Sequence, residues 1–287
     1  MVAGAHKLFG FGHAITSDLP LAGALTESAE RSCTAEPLSI VLKPPQLLTT
    51  DEIYRRDGDA LWFSPPGVGQ FCCRRRSIEV SPDPLGDPQA LTELLIATAL
   101  PAVQWLRGHF VLHAAGLVLP DRSSAIAICG ASGSGKSTVA AALLERGAKL
   151  VGDDTLRLTN QQSVWCAAGL PGGLFRSVAN TPERRFDAVD RACAVPEAQL
   201  GAIVVLGERS AEPSLVALDG VAALGQLLAM QHRPRVPAIL GRHAEVLQMA
   251  AGIIRFLPVF AWQRRSDSAG LDDSEFDMLQ QCCGNQG

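Results

Sequence analysis

Residues 130–137 are Gly-Ala-Ser-Gly-Ser-Gly-Lys-Ser, a complete GxxxxGK[ST] pattern. No other stretch restricts the fold as tightly, because the pattern works only between a strand and a helix. Both flanks comply. The apolar run 123–129 ends at Cys129, and Thr-Val-Ala-Ala-Ala-Leu-Leu-Glu-Arg-Gly follows, with Gly147 placed as a helix stop. Each residue type has a reason. Gly130, Ala131, Ser132, Gly133, Ser134 and Gly135 form a loop whose glycines turn backbone N–H groups inward around phosphate oxygens. The helix start, with Ser137 and Thr138, adds its positive dipole end. Lys136 places a compact charge on the β- and γ-phosphates, and Ser137 offers a hydroxyl to Mg²⁺. The spacing predicts binding of a nucleoside triphosphate, ATP, with Mg²⁺. The bland alternative is a glycine-rich turn with a chance lysine, and the flanking strand and helix argue against it. Lysine is scarce here: of 25 basic residues only Lys7, Lys43, Lys136 and Lys149 are lysine.

Charge and hydropathy exclude several classes. The net charge of −4 argues against a nucleic-acid binder, which needs a basic field. No run of about 18 apolar residues exists, so no membrane span is expected. The segment MVAGAHKLFGFGHAITSD lacks the apolar stretch of a signal peptide. The cysteines, at positions 33, 72, 73, 129, 166, 193, 282 and 283, show no CxxC or Cys/His ligand spacing. Reduced thiols in a cytoplasmic protein are expected.

At about 150 residues per domain, 287 residues suggest two domains. Residues 1–90 are turn-rich, with strands expected at 60–64, 69–75 and 76–82 and mixed strand and loop over 18–50. A connecting helix over 91–108, beginning near 89, carries Pro101 as a kink or break. Residues 109–287 form the second domain. There, FVLHAAGLVL (110–119) and SSAIAIC (123–129) are expected to pair as a hairpin. Strands follow at 149–154, 156–159, 163–167, 201–208 and 256–262, with helices near 219–231, 239–252 and 272–282.

Asp153 and Asp154 follow the apolar pair Leu150-Val151, 16 residues after Ser137. A strand–loop–helix–strand path returns them beside the phosphate loop. Two adjacent carboxylates can divide labour there, one on the metal side and one taking a proton from an attacking hydroxyl. Alone, the pair would equally suit a polar turn. His113, expected on the strand beside the one entering the loop, would alone be taken for a satisfied core histidine.

VLHAAGLVL, GASGSGKST and LVGDD stand in one order, and over about 109–159 this resembles the HPr kinase/phosphorylase family. The resemblance implies an α/β fold: a P-loop kinase domain of the HPr kinase and phosphoenolpyruvate carboxykinase type, after a smaller β-rich N-terminal domain. It also implies ATP, Mg²⁺ and transfer to a serine hydroxyl. Carried over by position, Asp153 matches the catalytic carboxylate, His113 the histidine near it, Asp154 the magnesium-side carboxylate with Ser137, and Lys136 the loop lysine. One departure stands out. The family's later segment with a further metal-side glutamate is not legible in GLPGGLFRSVANTPERR (169–185). Arg176, Arg184 and Arg185 in that stretch could contact phosphate or substrate, or form a solvated loop. FGFGHAITSDLPL and VGQFCCRRRSIEVSPDP look more like the HPr-kinase-related serine kinases of lasso peptide biosynthesis. That likeness implies a precursor peptide, phosphorylated on its C-terminal serine, as partner. HPr kinase forms a homo-oligomer, and interface residues do not transfer by motif. Two other readings stay open from sequence: a small-molecule kinase, and a nucleotide-gated peptide-binding ATPase.

Overall fold

The computed structural model describes residues 5–26, 36–47, 53–177, 184–266 and 270–282. Cys33 and Cys283, and parts of the 18–50 segment, lie outside them. The architecture is mixed α/β, with an eight-stranded sheet, a nine-stranded sheet and a two-stranded hairpin.

The eight-stranded sheet contains every strand from His6–Gly10 to Ser77–Pro82. Its strands at Ala60–Phe63, Gly69–Cys73 and Ser77–Pro82 lie close to where alternation places them. The first two strands, His6–Gly10 and His13–Ser17, make a tight hairpin. Its two turn residues, Phe11 and Gly12, both have positive φ, 50° and 68°. Phe11 is buried, and its N–H donates to the Gly169 carbonyl at 2.7 Å. The hairpin tip is therefore fastened to the second sheet.

A helical rod joins the sheets. It runs through Pro88–Leu94, a π-turn at Leu95–Ala99, and Leu100–Leu106. Asp87 caps it by accepting from the Gln89 N–H. Pro101 does not end the helical rod; where a kink or break was expected, a π-turn stands directly before it. A proline removes the N–H that would bond the carbonyl four residues back and crowds that carbonyl. The wide turn just before it, where the Leu100 N–H reaches Leu95, relieves the crowding. The released carbonyl, Ala97, instead accepts from Arg233 Nε at 2.7 Å.

In the nine-stranded sheet the order is Lys149–Gly152, Ala114–Val118, Ala125–Cys129, Ala198–Leu206, Val164–Ala168, Leu156–Gln161, Phe110–Leu112. Val259–Gln263 adds to Ala198–Leu206 and pairs in turn with Ser214–Ala217. The sheet is mixed: Ala125–Cys129, Ala198–Leu206 and Val259–Gln263 are parallel neighbours, and most other pairs are antiparallel. Its central strands alternate between two cores, as a two-residue period requires. Ala125, Ala127 and Cys129 face the rod and the N-terminal sheet, with Phe71, Ile78, Leu95 and Val103. Ile126 and Ile128 face the phosphate-loop helix, with Val139, Leu143 and Leu279. The first of these cores is continuous across both sheets.

Three expectations change. FVLHAAGLVL is not one strand. It divides at His113, with Phe110–Leu112 pairing Leu156–Gln161 and Ala114–Val118 pairing Ala125–Cys129. The final strand begins at Val259, because the helix His243–Phe256 takes the residues before it. Where a solvated loop was one of the readings for 169–185, Gly173–Ser177 pairs with Arg184–Ala188 as a hairpin. Among the described cysteines, Cys72, Cys73, Cys129, Cys166, Cys193 and Cys282 are free thiols. Burial pushes the Cys129 thiol up to about 12. Among the described residues no helix is long and apolar enough to cross a membrane.

Candidate functional site

The phosphate loop leaves the end of Ala125–Cys129 and enters the helix Lys136–Glu145 through Gly135, whose φ of 96° is a left-handed conformation. A side chain there would be strained. Lys136 is 7% exposed and folds back over its own loop, donating from Nζ to the carbonyls of Gly130 at 2.8 Å and Ala131 at 3.1 Å. The small cavity above the loop is lined by Ser132, Gly133, Gly135, Lys136, Ser137 and Thr138. His113, Asp154, Phe175 and Arg176 close its far side.

The two aspartates are held differently, and the pairing is the reverse of the one expected. Asp153, not Asp154, bonds Ser137. Its Oδ2 accepts from Ser137 Oγ at 3.1 Å and from the Phe175 N–H at 2.8 Å. Gly152 makes this approach possible. A Cβ there would lie 2.7 Å from Gly169 Cα, so two backbones touch where the strand ends. Asp153 is 3% exposed. Burial raises its pKa to about 6, the Phe175 N–H pulls it down, and the neighbouring Asp154 pushes it up.

That burial carries a stability cost whose sign follows from linkage. The folded state holds the proton more tightly than the unfolded chain does. The favourable contribution is therefore present below the unfolded value of 3.8 and is lost as pH rises through about 6. The ionised carboxylate then costs roughly 3 kcal/mol. Without nucleotide or metal, Asp153→Asn is expected to match wild-type stability near pH 4 and to exceed it at pH 8. Urea midpoints at the two pH values check this; equal midpoints at pH 8 would remove the buried charge from the account.

Asp154 sits at φ 67°, an uncommon conformation for a residue other than glycine. Two histidines flank it. His113 Nδ1 donates to the Asp154 carbonyl at 2.9 Å and lies 3.8 Å from its Oδ1, while His232 Nε2 lies 3.9 Å from Oδ2. The rings are 5.1 Å apart. Backbone pairing fixes both: the His113 N–H donates to the Met230 carbonyl and the His232 N–H to the Val111 carbonyl, each at 2.8 Å. His232 is further tied by Thr155 Oγ1, 2.5 Å from its Nδ1, and by Trp105, whose indole N–H donates to its carbonyl. His113 thus sits at the strand break rather than on a strand paired with the one entering the loop.

Two donor sets result. Ser137 Oγ with the Asp153 carboxylate is all oxygen, which suits Mg²⁺. The atoms of His113, Asp154 and His232 come within 4.8 Å of one another and mix nitrogen with oxygen, a set that magnesium favours less. Among the described residues no glutamate lines the phosphate cavity. Arg176 lines it and pairs with Asp187 at 3.5 Å. Arg185 turns away and bonds Asp187 through two nitrogens. Arg184 begins the second strand of the hairpin.

The sequence reading missed His232, the Phe175 N–H and Arg264. Arg264 is 3% exposed and lies over Trp262 beneath the loop. A Cβ at Gly135 would come within 3.3 Å of its Nη1. Nη2 donates to Gly270, while Nε and Nη1 have no hydrogen-bond partner among the described residues. Burial lowers its pKa, and Arg209 adds to the lowering. A buried cation against a phosphate loop favours an anion above it. Arg264→Met is expected to weaken ATP binding by about tenfold, the worth of one charge-assisted interaction. Titration with a fluorescent ATP analogue checks this, and undiminished affinity would leave Arg264 a packing residue.

No protein-family model matches the chain, and no curated protein matches it. Among solved structures, the Hpr(Ser) kinase/phosphatase from Coxiella burnetii is similar over 59% of this chain and 91% of that one, at 14% identity and a TM-score of 0.35.

Proposed function

We propose that this chain is an ATP- and Mg²⁺-dependent kinase that transfers the γ-phosphoryl group to a serine hydroxyl of a peptide or protein. The observation that carries the reading is the position of Asp154, which lines the phosphate cavity on one side and a second, larger cavity on the other. A carboxylate between a triphosphate site and a separate acceptor-sized space is what phosphoryl transfer to a bound hydroxyl requires.

Roles follow from geometry. The loop N–H groups and Lys136 hold the phosphates and neutralise the charge that spreads over the transferred group. Mg²⁺, when bound, supplies further neutralisation at the phosphate oxygens, and Ser137 with Asp153 would hold it. Asp153 is bonded to Ser137 and the Phe175 N–H, and like Asp154 it lines the larger cavity. Asp154, the carboxylate that lines both cavities, takes the hydroxyl proton as general base, with His113 and His232 fixing its orientation. This exchanges the two roles that the family resemblance assigns by position. The resemblance further supports a precursor peptide as acceptor, at its C-terminal serine.

The test is transfer of labelled γ-phosphate from ATP to serine peptides. Label on peptide serine supports the reading. Label appearing only as inorganic phosphate favours a nucleotide-gated ATPase, and label on a metabolite alone favours a small-molecule kinase.

A further inference from the structure

The cavity across Asp154 from the phosphate loop measures about 630 Å³, within the range that encloses a ligand or a short peptide segment. Asp153, Asp154 and Thr155 form one end. The walls are apolar and come from separated parts of the chain: Phe11 at the hairpin tip, Ile96 and Ala97 on the π-turn, Leu170, Phe175 and Phe186. Three charged side chains reach the rest of the lining. Glu93 accepts from Gln89 on the same helix, and Arg185 is bonded to Asp187. Arg233 differs. Its Nε is fixed on the Ala97 carbonyl, and among the described residues it has no ion-pair partner. Its φ of 55° is left-handed, a strain that persists where surroundings impose it and that gathers at ligand clamps.

We propose that this cavity docks the acceptor: a peptide segment whose serine is flanked by a bulky apolar side chain, which fills the cavity, and by a carboxylate, which pairs with Arg233. The proposal rests on the kinase reading above. Asp154 and Phe175 line both cavities, so a hydroxyl delivered from this side meets Asp154 with the phosphate site opposite. The apolar walls favour a residue that gains by leaving water. The guanidinium, oriented by its Nε bond, presents its remaining N–H groups in the fork that matches a carboxylate. That carboxylate can come from a chain terminus or from an Asp or Glu side chain.

The experiment uses the full chain and fluorescein-labelled serine peptides varied at each position flanking the serine. One set has a free C-terminal carboxylate, a second is amidated, and a third is amidated with Asp beside the serine. Binding is read by fluorescence anisotropy, and transfer from radiolabelled ATP is read in parallel. Leucine, phenylalanine or tryptophan beside the serine is expected to tighten binding about tenfold or more over glycine. A carboxylate is expected to add a further gain of about tenfold. Preference in the first set alone assigns the chain terminus, and preference in the third assigns a side chain. Arg233→Gln should erase the carboxylate gain and keep the apolar one. Ala97→Trp, which fills the cavity from the π-turn, should erase the apolar gain. Affinities indifferent to the flanking residues overturn the proposal, as do variants that keep both preferences. Selective binding with no transfer to any peptide would instead overturn the kinase reading and leave the docking site standing. Transfer without selectivity would do the converse.

Discussion

Alanine at position 136 is expected to reduce ATP-dependent transfer by roughly 10³-fold, an effect of the size seen when a preorganised charge is removed from a reacting centre. Two losses combine. The first is the ammonium on the β- and γ-phosphates. The second is local: Lys136 Nζ bonds the Gly130 and Ala131 carbonyls, so it also ties down the loop's own backbone. Arginine cannot substitute, because its planar fork is larger than the compact charge this buried position accepts. Lys136→Arg is therefore expected to fall near the alanine variant rather than near wild type. Single-turnover transfer with saturating peptide measures both. A Lys136→Ala enzyme within tenfold of wild type would mean that phosphate is held elsewhere.

Asp154→Asn should lower kcat by about 10²–10⁴-fold, the range for loss of a general base, while ATP affinity changes little. Asp153→Asn should behave differently. Its losses should appear as a raised Mg²⁺ requirement, because the carboxylate beside Ser137 is the one replaced. The pair of variants therefore separates the two assignments. If Asp153→Asn abolishes transfer at saturating Mg²⁺ while Asp154→Asn keeps near-normal kcat, the roles are those that the family resemblance implies. His232→Gln adds a control. A residue that only orients Asp154 should shift the pH profile of kcat and lower it less than loss of Asp154 itself.

The strand–loop–helix setting of residues 130–137 was legible because its signals are local. Strand, glycines, lysine and hydroxyl all lie within a few residues, and no distant contact decides their meaning. The aspartates were legible as a pair and not as individuals. Which carboxylate faces Ser137 depends on the left-handed turn at Asp154 and on the backbone contact between Gly152 and Gly169, and neither leaves a mark in composition. The break at His113 was hidden for a related reason. Residues 110–119 are buried on both faces, so alternation is silent there and one long strand looks as good as two. His232 could not be found from its surroundings. It reaches Asp154 only because residues 230–232 pair with 111–113. At Pro101 the local rule gave a kink or break but not its form: tertiary structure supplies a wide turn and an arginine on the carbonyl that the proline leaves without its partner.

The fastening of Phe11 to Gly169 carries a consequence for how the protein is made. During synthesis the hairpin at residues 6–17 emerges well before residue 169, its backbone partner. At roughly 5–20 residues per second that delay is on the order of 10 s. For that interval an aromatic side chain destined for burial stands at a hairpin tip with its N–H facing water. The N-terminal strands can pair among themselves in the meantime, but the larger cavity, which needs Phe11 on one wall and Leu170 and Phe175 on another, closes only when the second half of the chain arrives. Ribosome-bound chains halted shortly before residue 169 should therefore engage chaperones and proteases at the hairpin tip, and chains released at full length should not.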